Sequence, residues 1–345
     1  MNELSEFCSK IKMDFNPKIR DSKRYVKCWS EKDVLNHRIT DTFVIILRTK
    51  GCTWSLKSGC TMCGYFNDSL LDEIADKDLL KQFELAIKNY KGERFVKIFN
   101  SGSFLDDKEI SPKVRLEILN ILSKKVKKIS VESRPEYITD KILLDIKKII
   151  NSKIFEIGIG LETANDIVRK KTINKGFNFV QYKKAADILK KYNYKLKTYV
   201  LVKPPFLTEK ESIFDCINTI DKIKDITNVV SLNPVNVQRY TMVEYLWKRN
   251  KYRPPWLWSI LEILKNGKKI IGNKIIKCDI VGGGNIRGAH NCGKCDGKIL
   301  KAIKLFSLNQ NINELNVIDC DCYDKWLDQI DIENIGFGSF TDIYR

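Results

Sequence analysis

Three cysteines lie close together in one polar segment: Cys52, Cys60 and Cys63, spaced C-x7-C-x2-C. Thiolates are the usual protein ligands of iron–sulfur clusters, and a cubane cluster normally takes four of them. Three ligands leave one iron open, which a cluster needs if it is to bind and reduce a small molecule. Zinc is the alternative, but zinc requires a fourth ligand nearby, and the next cysteine is Cys216. The spacing therefore favours a catalytic cluster.

S-adenosylmethionine is a molecule that fits such an open iron, because its amino and carboxylate groups can both bind there. One electron delivered to its sulfonium breaks a C–S bond and yields a 5′-deoxyadenosyl radical. The cofactor carries this chemistry, and the protein supplies position and shielding. Cys52, Cys60 and Cys63 are thus the candidate catalytic residues.

A second group of potential metal ligands lies near the carboxyl end of the chain. Its members are Cys278, His290, Cys292, Cys295, Cys320 and Cys322. Four thiolates from a C-x2-C knuckle and a C-x-C pair can close a tetrahedral structural zinc site. A second iron–sulfur cluster remains the rival metal. The favoured zinc ligands are Cys278, Cys292, Cys295 and one of Cys320 or Cys322.

The elements that must position these residues alternate between β-rich runs and helical stretches from residue 42 onwards. Near-continuous apolar runs predict six strands, at 42–48, 95–99, 128–132, 154–161, 195–202 and 229–235. Strands of this kind, separated by helices, indicate a parallel sheet. The sequence therefore predicts an α/β protein, a partial (β/α)6 TIM-type barrel with a C-terminal metal-binding appendage. The expected domains are an N-terminal extension (1–41), the barrel (42–235) and an appended C-terminal region (236–345).

Polar segments follow several of the predicted strands, where the chemistry of such barrels collects. Ser101, Gly102 and Ser103 follow the second strand, and a glycine between hydroxyl residues lets a ligand approach the backbone. Glu132 and Arg134 end the third strand, and they either bind ribose hydroxyls and a carboxylate or pair with each other. Glu162 ends the fourth strand, with the same two interpretations. These residues are candidate cofactor ligands.

The composition predicts a partner class and a location. The formal net charge is +18, which attracts polyanions such as tRNA, although the lysines are spread widely. The chain contains no run of about 18 apolar residues, so no membrane partner is expected. The first residues lack the apolar core of a secretory signal. We therefore expect a cytoplasmic protein, in which clustered cysteines are more often metal ligands than disulfides.

The cluster motif resembles that of the radical-SAM superfamily, although the commonest superfamily spacing is C-x3-C-x2-C. The longer first gap points to one family, and the chain resembles the radical-SAM subunit of archaeosine synthase. The resemblance spans most of residues 42–326 and rests on these segments: 48–54, 59–65, 101–107, 131–135, 160–163, 203–208, 233–238, 252–259 and 290–296. It implies a barrel of the radical-SAM kind that binds a [4Fe-4S] cluster and S-adenosylmethionine.

The resemblance also implies roles that the residues alone do not. Met62 and Tyr65 would pack against the cluster or the adenine, and the segment around Gly102 would hydrogen-bond the methionine amino group. The implied substrate is tRNA with a 7-deazaguanine base at position 15, to which a partner subunit has attached lysine. Cleavage of a C–N bond of the lysine adduct would leave archaeosine, with electrons from an electron donor.

Two kinds of alternative function stay open at the level of sequence. One is another radical-SAM reaction on tRNA, Elongator-like or of the methylthiotransferase kind. Methylthiolation would need a second cluster with an open iron, so the metal at the C-terminal cysteines discriminates. The other is a non-catalytic zinc-binding RNA module, which predicts no iron and no cleavage of S-adenosylmethionine.

Overall fold

The fold is organised around one eight-stranded sheet in which the strands follow one another in chain order. The structure is a computed structural model that describes residues 3–16, 18–150, 153–316 and 320–336. The strands are β1 Lys27–Leu35, β2 Arg38–Ile46, β3 Phe95–Phe99, β4 Lys128–Glu132, β5 Ile154–Glu162, β6 Lys195–Val202, β7 Val229–Pro234 and β8 Ile275–Cys278. β1 pairs antiparallel with β2, and every later pair is parallel.

Helices connect the parallel strands and cover the sheet. They are α1 Glu3–Met13, α2 Thr53–Lys57, α3 Asp76–Ile87, α4 Pro112–Ser123, α5 Asp140–Ile149, α6 Asp166–Val168, α7 Phe179–Lys191, α8 Glu209–Ile223, α9 Met242–Trp247, α10 Leu257–Ile271, α11 Asp296–Asn309 and α12 Cys322–Gly336. A π-helical turn, Arg169–Ile173, continues α6. Several helices begin at side-chain caps. At α8 the Thr208 hydroxyl accepts from Glu211 N–H while the Glu211 side chain accepts from Thr208 N–H, and Asn178 and Gln181 form the same reciprocal pair at α7. Such caps satisfy backbone donors that a helix start leaves unpaired.

The predicted barrel is confirmed, because the six predicted strands are β2 to β7. The sheet also extends past both predicted barrel boundaries. β1 comes from the expected N-terminal extension, and β8 comes from the expected C-terminal region. That region also holds α9 to α12, and its residues 337–345 lie outside the described residues. Sequence periodicity missed β1 because its side chains alternate irregularly between exposed and partly buried positions over residues 27–32.

Buried ion pairs link strands across the barrel. Asp33 on β1 accepts from Lys97 on β3 at 2.5 Å and from Lys277 on β8 at 3.1 Å. Glu156 on β5 pairs with Lys128 at 2.7 Å and with Lys197 at 3.2 Å. Because β1 and β8 are the two ends of the sheet, Asp33 joins its two edges. A buried carboxylate without these partners would be strongly destabilising.

In the described part of the chain, no helix is both long enough and apolar enough to span a bilayer.

Candidate active site and C-terminal metal site

The cluster-motif loop leaves the carboxyl end of β2 and carries Cys52, Cys60 and Cys63. Cys52 is the residue before α2, in extended conformation, so α2 fills most of the gap between the first two cysteines. Cys60 and Cys63 flank a tight turn in which Cys63 N–H donates to the Cys60 carbonyl at 3.2 Å. All three side chains are half-buried. The loop therefore presents its thiols at the edge of the sheet where the parallel strands end.

Segments from distant parts of the chain fix this loop by hydrogen bonds. The Thr61 hydroxyl donates to the Thr172 carbonyl at 2.7 Å, and Thr61 N–H donates to Ile173. In turn, the Thr61 carbonyl accepts from Val243 N–H at 3.1 Å. The side chain of Gln238 accepts from Gly64 N–H at 2.5 Å. Since these bonds come from the π-helical turn and from the region after β7, the loop conformation depends on the completed barrel.

The electrostatic environment of the thiols is set by burial and by nearby cations. Burial raises the pKa of Cys60, while Lys175 and Arg134 act in the opposite direction. Burial also raises the pKa of the Cys63 thiol to about 12. The Cys60 and Cys63 thiols are therefore neutral at pH 7 in the free protein, and binding of a metal cluster must release their protons. The two cations can balance the negative charge of the thiolates that a cluster would require.

The segment that follows β3 lies directly against the first cysteine. A Cβ on Gly102 would stand 2.7 Å from the Cys52 Cα, so only glycine fits there. Ser103 N–H donates to Glu109 Oε2 at 2.6 Å, and the Ser103 hydroxyl accepts from Arg134 N–H at 3.0 Å. Ser101 donates to the Tyr65 carbonyl at 3.2 Å. The three residues predicted from sequence thus adjoin the cluster loop.

Glu109 organises this segment from within the protein. Besides Ser103 N–H, its carboxylate accepts from Thr49 Oγ1 at 2.5 Å and from Asn100 Nδ2 at 2.7 Å. Burial raises its pKa to about 7, although these donors act to lower it. The sequence does not predict a role for Glu109, because a glutamate beyond the end of a strand carries no periodic or spacing signal.

Glu132 and Arg134 at the end of β4 do not form the mutual ion pair that was one interpretation of the sequence. Arg134 donates to Glu136 at 2.5 Å and to the Lys175 carbonyl at 2.9 Å, and not to Glu132. Glu162, which has a φ of +68°, pairs with Lys175 at 2.6 Å. Burial raises the pKa of Glu132, against a hydrogen bond from Tyr199 that lowers it. The three candidates lie at the carboxyl ends of adjacent strands, within reach of a shared ligand.

Met62 and Tyr65 occupy different environments. Met62 and Cys60 pack against a small apolar cluster whose members include Ile173, Val243 and Tyr252. Tyr65 is 57% exposed at the start of a short 3-10 turn after Cys63. Met62 therefore packs beside the loop, whereas the Tyr65 side chain is largely exposed and its hydroxyl is hydrogen-bonded to Gln238.

The residues present fit a cluster and S-adenosylmethionine. Three thiols share one loop, Lys175 and Arg134 provide compensating charge, and the bare backbone at Gly102 approaches the loop. At Gly160 a Cβ would come within 2.6 Å of Glu162 Oε1 and 2.7 Å of Lys175 Nζ. A polar surface built from backbone and charged groups of both signs suits an amino-acid moiety that carries both charges.

The C-terminal cysteines form a compact group of four thiols, Cys292, Cys295, Cys320 and Cys322, all within 4.8 Å of one another. Four of the Sγ–Sγ separations are 3.8 Å for 292–295, 3.7 Å for 292–320, 3.5 Å for 295–322 and 3.5 Å for 320–322. A tetrahedron with Zn–S bonds of about 2.3 Å has edges of about 3.8 Å. The group therefore has the dimensions of a site for a single metal ion.

The set of four differs from the one that the sequence favoured. Cys278 is not in the group: it is buried at the end of β8, where its N–H donates to Ser307 Oγ at 3.1 Å. Both Cys320 and Cys322 take part instead of one of them. His290 is not in the group either, and its Nδ1 lies 2.8 Å from the Gly288 carbonyl. Spacing could not separate these options because six candidate ligands allow many sets of four.

Groups around the four thiols complete the site. Trp258 Nε1 donates to Cys322 Sγ at 3.3 Å, and Asn291 Nδ2 donates to Cys295 Sγ at 3.4 Å. Desolvation acts to raise the pKa of the exposed Cys292, but the backbone N–H groups of Cys295 and Lys294 lower this pKa to about 7. Donors of this kind orient ligands and stabilise thiolates. The site joins α10 and α12 to the start of α11, since Trp258 lies in α10, Cys322 begins α12 and Cys295 is the residue directly before α11.

The fold and the cluster loop together define a class of protein. Residues 46–217 match the model of the radical SAM superfamily. Among solved structures, methylornithine synthase (PylB) superposes with a TM-score of 0.49 and 15% sequence identity, over 80% of this chain and 72% of that chain.

Whole-length relatives give the particular family. Archaeosine synthase subunit beta of Methanosarcina acetivorans is 40% identical over 317 residues, covering 90% of this chain and 91% of that protein. Archaeosine synthase subunit beta of Thermococcus kodakarensis is 37% identical over 305 residues, covering 86% and 94%. The chain belongs to this family of radical SAM enzymes, as its motifs predicted.

Proposed function

We propose that this chain catalyses the radical step of archaeosine formation in tRNA, by cleaving a C–N bond of a lysine adduct on the 7-deazaguanine base at position 15. The observation that carries the proposal is the cluster loop at the mouth of the barrel, in a chain that is similar over nine-tenths of its length to an archaeosine synthase beta subunit. The name of those relatives supports archaeosine as the product and the presence of a second subunit.

The proposed roles follow from where each residue lies. Cys52, Cys60 and Cys63 hold a [4Fe-4S] cluster. Ser101, Gly102 and Ser103 receive the methionine part of S-adenosylmethionine, and Glu132, Arg134 and Glu162 receive its carboxylate and ribose. Tyr65 covers the adenine, and Met62 packs beneath the cluster. When bound, the cluster and S-adenosylmethionine supply a 5′-deoxyadenosyl radical, which removes a hydrogen atom from the lysine side chain.

The partners in the proposal are tRNA, the lysine-transferring subunit and an electron donor. The formal charge of +18 supports contact with a polyanion. Charge alone gives little discrimination between RNAs, because phosphate contacts position and base contacts specify. Selectivity for one modified nucleotide must therefore come from the barrel mouth or from the partner subunit.

We also propose zinc at Cys292, Cys295, Cys320 and Cys322. The Sγ–Sγ separations support a single tetrahedral ion, whereas a second open cluster would need its sulfurs further apart. This geometry argues against a methylthiotransferase-like reaction, since that chemistry requires a second cluster.

The decisive experiment uses tRNA that carries the lysine adduct. The reconstituted chain is incubated anaerobically with that tRNA, S-adenosylmethionine and a reductant, and nucleosides are measured by mass spectrometry. We expect the adduct to be converted to archaeosine with formation of 5′-deoxyadenosine, and the Cys52→Ala variant to do neither. If 5′-deoxyadenosine accumulates while the adduct persists, the proposed substrate is wrong, and another radical SAM reaction on tRNA becomes the favoured function. If neither iron nor 5′-deoxyadenosine is found, a non-catalytic zinc-binding RNA module replaces it.

A further inference from the structure

The amino-terminal helix α1 lies on the cluster loop, although the sequence marked it only as part of an extension. Its polar residues Ser5, Ser9 and Lys12 recur at helical spacing and so share one face. The Ser5 hydroxyl donates to Ser58 Oγ at 2.5 Å, and the Ser9 hydroxyl donates to the Lys57 carbonyl at 3.4 Å. This face therefore contacts the long segment between Cys52 and Cys60.

Lys12 makes the densest of these contacts. Its ammonium donates to the Ser58 carbonyl at 2.6 Å, to the Ser55 carbonyl at 2.7 Å and to Ser55 Oγ at 3.2 Å. An ammonium has three N–H donors, and here each has an acceptor. The two carbonyls belong to the carboxyl-terminal end of α2, where a helix leaves carbonyls unpaired and favours a cation.

The same ammonium stands beside the place where a cluster would bind. Gly59, which has a φ of +94° and directly precedes Cys60, lies so close that a Cβ there would overlap the Lys12 Nζ. Burial lowers the pKa of Lys12, and the cysteines 63, 60, 8 and 52 each act to raise it. Lys12 is thus electrostatically coupled to all three thiols of the cluster motif.

We propose that α1 is a clamp on the cluster loop, in which Lys12 is the positioning residue that fixes the Cys52–Cys60 segment and keeps a positive charge beside the cluster. The inference rests on the proposed cluster. It explains what the long C-x7-C gap is for: the additional residues form α2, whose carbonyls are the acceptors for Lys12.

Two consequences follow from chemistry. Hydrogen bonds to charged groups are stronger than neutral ones, so their loss should loosen Cys60 and let iron escape faster. A reduced cluster carries one more negative charge than an oxidised one, so a nearby cation stabilises the reduced form. Removal of that cation should therefore lower the reduction potential of the cluster.

The test compares three variants of the full chain after anaerobic reconstitution. Lys12→Met removes the charge and the hydrogen bonds, and Lys12→Arg keeps the charge. Lys10→Met is the matched control, because Lys10 lies on the same helix with an exposed side chain. The readouts are iron and sulfide content, the rate at which a chelator bleaches the cluster, and its midpoint potential in the absence of S-adenosylmethionine and tRNA.

We expect Lys12→Met to bleach about tenfold faster than the wild type, because charge-assisted bonds of ordinary strength are lost. Its midpoint potential should be lower, and Lys12→Arg should restore the potential. Lys10→Met should match the wild type in bleaching rate, since a solvated charge is screened. If Lys12→Met does not fold by circular dichroism, Lys12→Gln replaces it, with two N–H donors and no charge.

The outcomes separate this inference from the proposal on which it rests. If the wild-type chain takes up no iron and sulfide, the proposed cluster itself is refuted. A loaded wild type with Lys12→Met indistinguishable from Lys10→Met in bleaching and in potential would leave the cluster standing and refute the clamp. A changed bleaching rate with an unchanged potential would refute the electrostatic half of the proposal.

Discussion

Replacement of Cys292 and Cys295 by alanine should destabilise the carboxyl-terminal helices more than any loss of the cluster ligands. The two thiols are half of the tetrahedral group, and with them a metal ion loses its site. Structural zinc contributes directly to folding because a preformed site rarely exists in the unfolded chain. By contrast, Cys52→Ala alters a loop at the barrel mouth and should leave the melting temperature nearly unchanged.

The expected loss is moderated by contacts of α12 that do not involve metal. Trp326 Nε1 donates to Ser259 Oγ at 2.9 Å, and Trp256 Nε1 donates to Gln329 Oε1 at 2.8 Å. Helix α12 is therefore held at its middle as well as at Cys322. A site occupied at a thousand times its dissociation constant contributes about 4 kcal/mol. For a chain of this length that corresponds to roughly 8 °C, taking about 2 °C per kcal/mol.

The assay is thermal unfolding by circular dichroism, with zinc content by mass spectrometry and hydrogen exchange of residues 322–336. Cys278→Ala is the control, because Cys278 is also buried but lies outside the group of four. It should keep its zinc and lose only the small cost of one buried thiol. The reasoning fails if Cys278→Ala loses zinc, or if the double variant melts within about 1 °C of Cys52→Ala.

Three further predictions concern the active site and the substrate. Alanine at Cys52, Cys60 or Cys63 should abolish 5′-deoxyadenosine formation under reducing, anaerobic conditions, and undiminished formation in the triple variant would rule out the cluster. Gly102→Ala should lower iron retention and the affinity for S-adenosylmethionine, because the new Cβ would press on the Cys52 backbone. Gly297→Ala is the control and should change neither quantity, because a Cβ at Gly297 meets no atom within 4 Å. Equal behaviour of the two variants would contradict the close approach of Gly102 to Cys52. The affinity for tRNA should fall roughly a thousandfold between 50 and 200 mM salt if about six phosphates are contacted, and salt-independent binding in a filter assay would contradict this. Many tRNAs should bind with similar affinity, but only the tRNA that carries the lysine adduct should be turned over. The lysine-transferring subunit should co-purify with the chain.

Sequence by itself determined the features whose signal is local. Strands β2 to β7 were predictable because each is a short apolar run buried on the sheet, and runs of this kind need no knowledge of their neighbours. Cys52, Cys60 and Cys63 could be proposed as cluster ligands from the sequence because three thiols in one loop limit the chemistry by their number alone. The family was predictable for the same reason, since its motifs are contiguous segments.

Only the tertiary structure decided which distant residues meet. It brings Cys320 and Cys322 to the knuckle of Cys292 and leaves Cys278 outside, a choice that depends on how α11 and α12 pack. It pairs Glu162 with Lys175, and it sets Lys12 against a loop more than forty residues away. Periodicity and spacing report on neighbours along the chain, whereas these contacts arise when the barrel closes. The position of the Lys12 ammonium beside the cluster-motif loop is therefore a property of the folded protein.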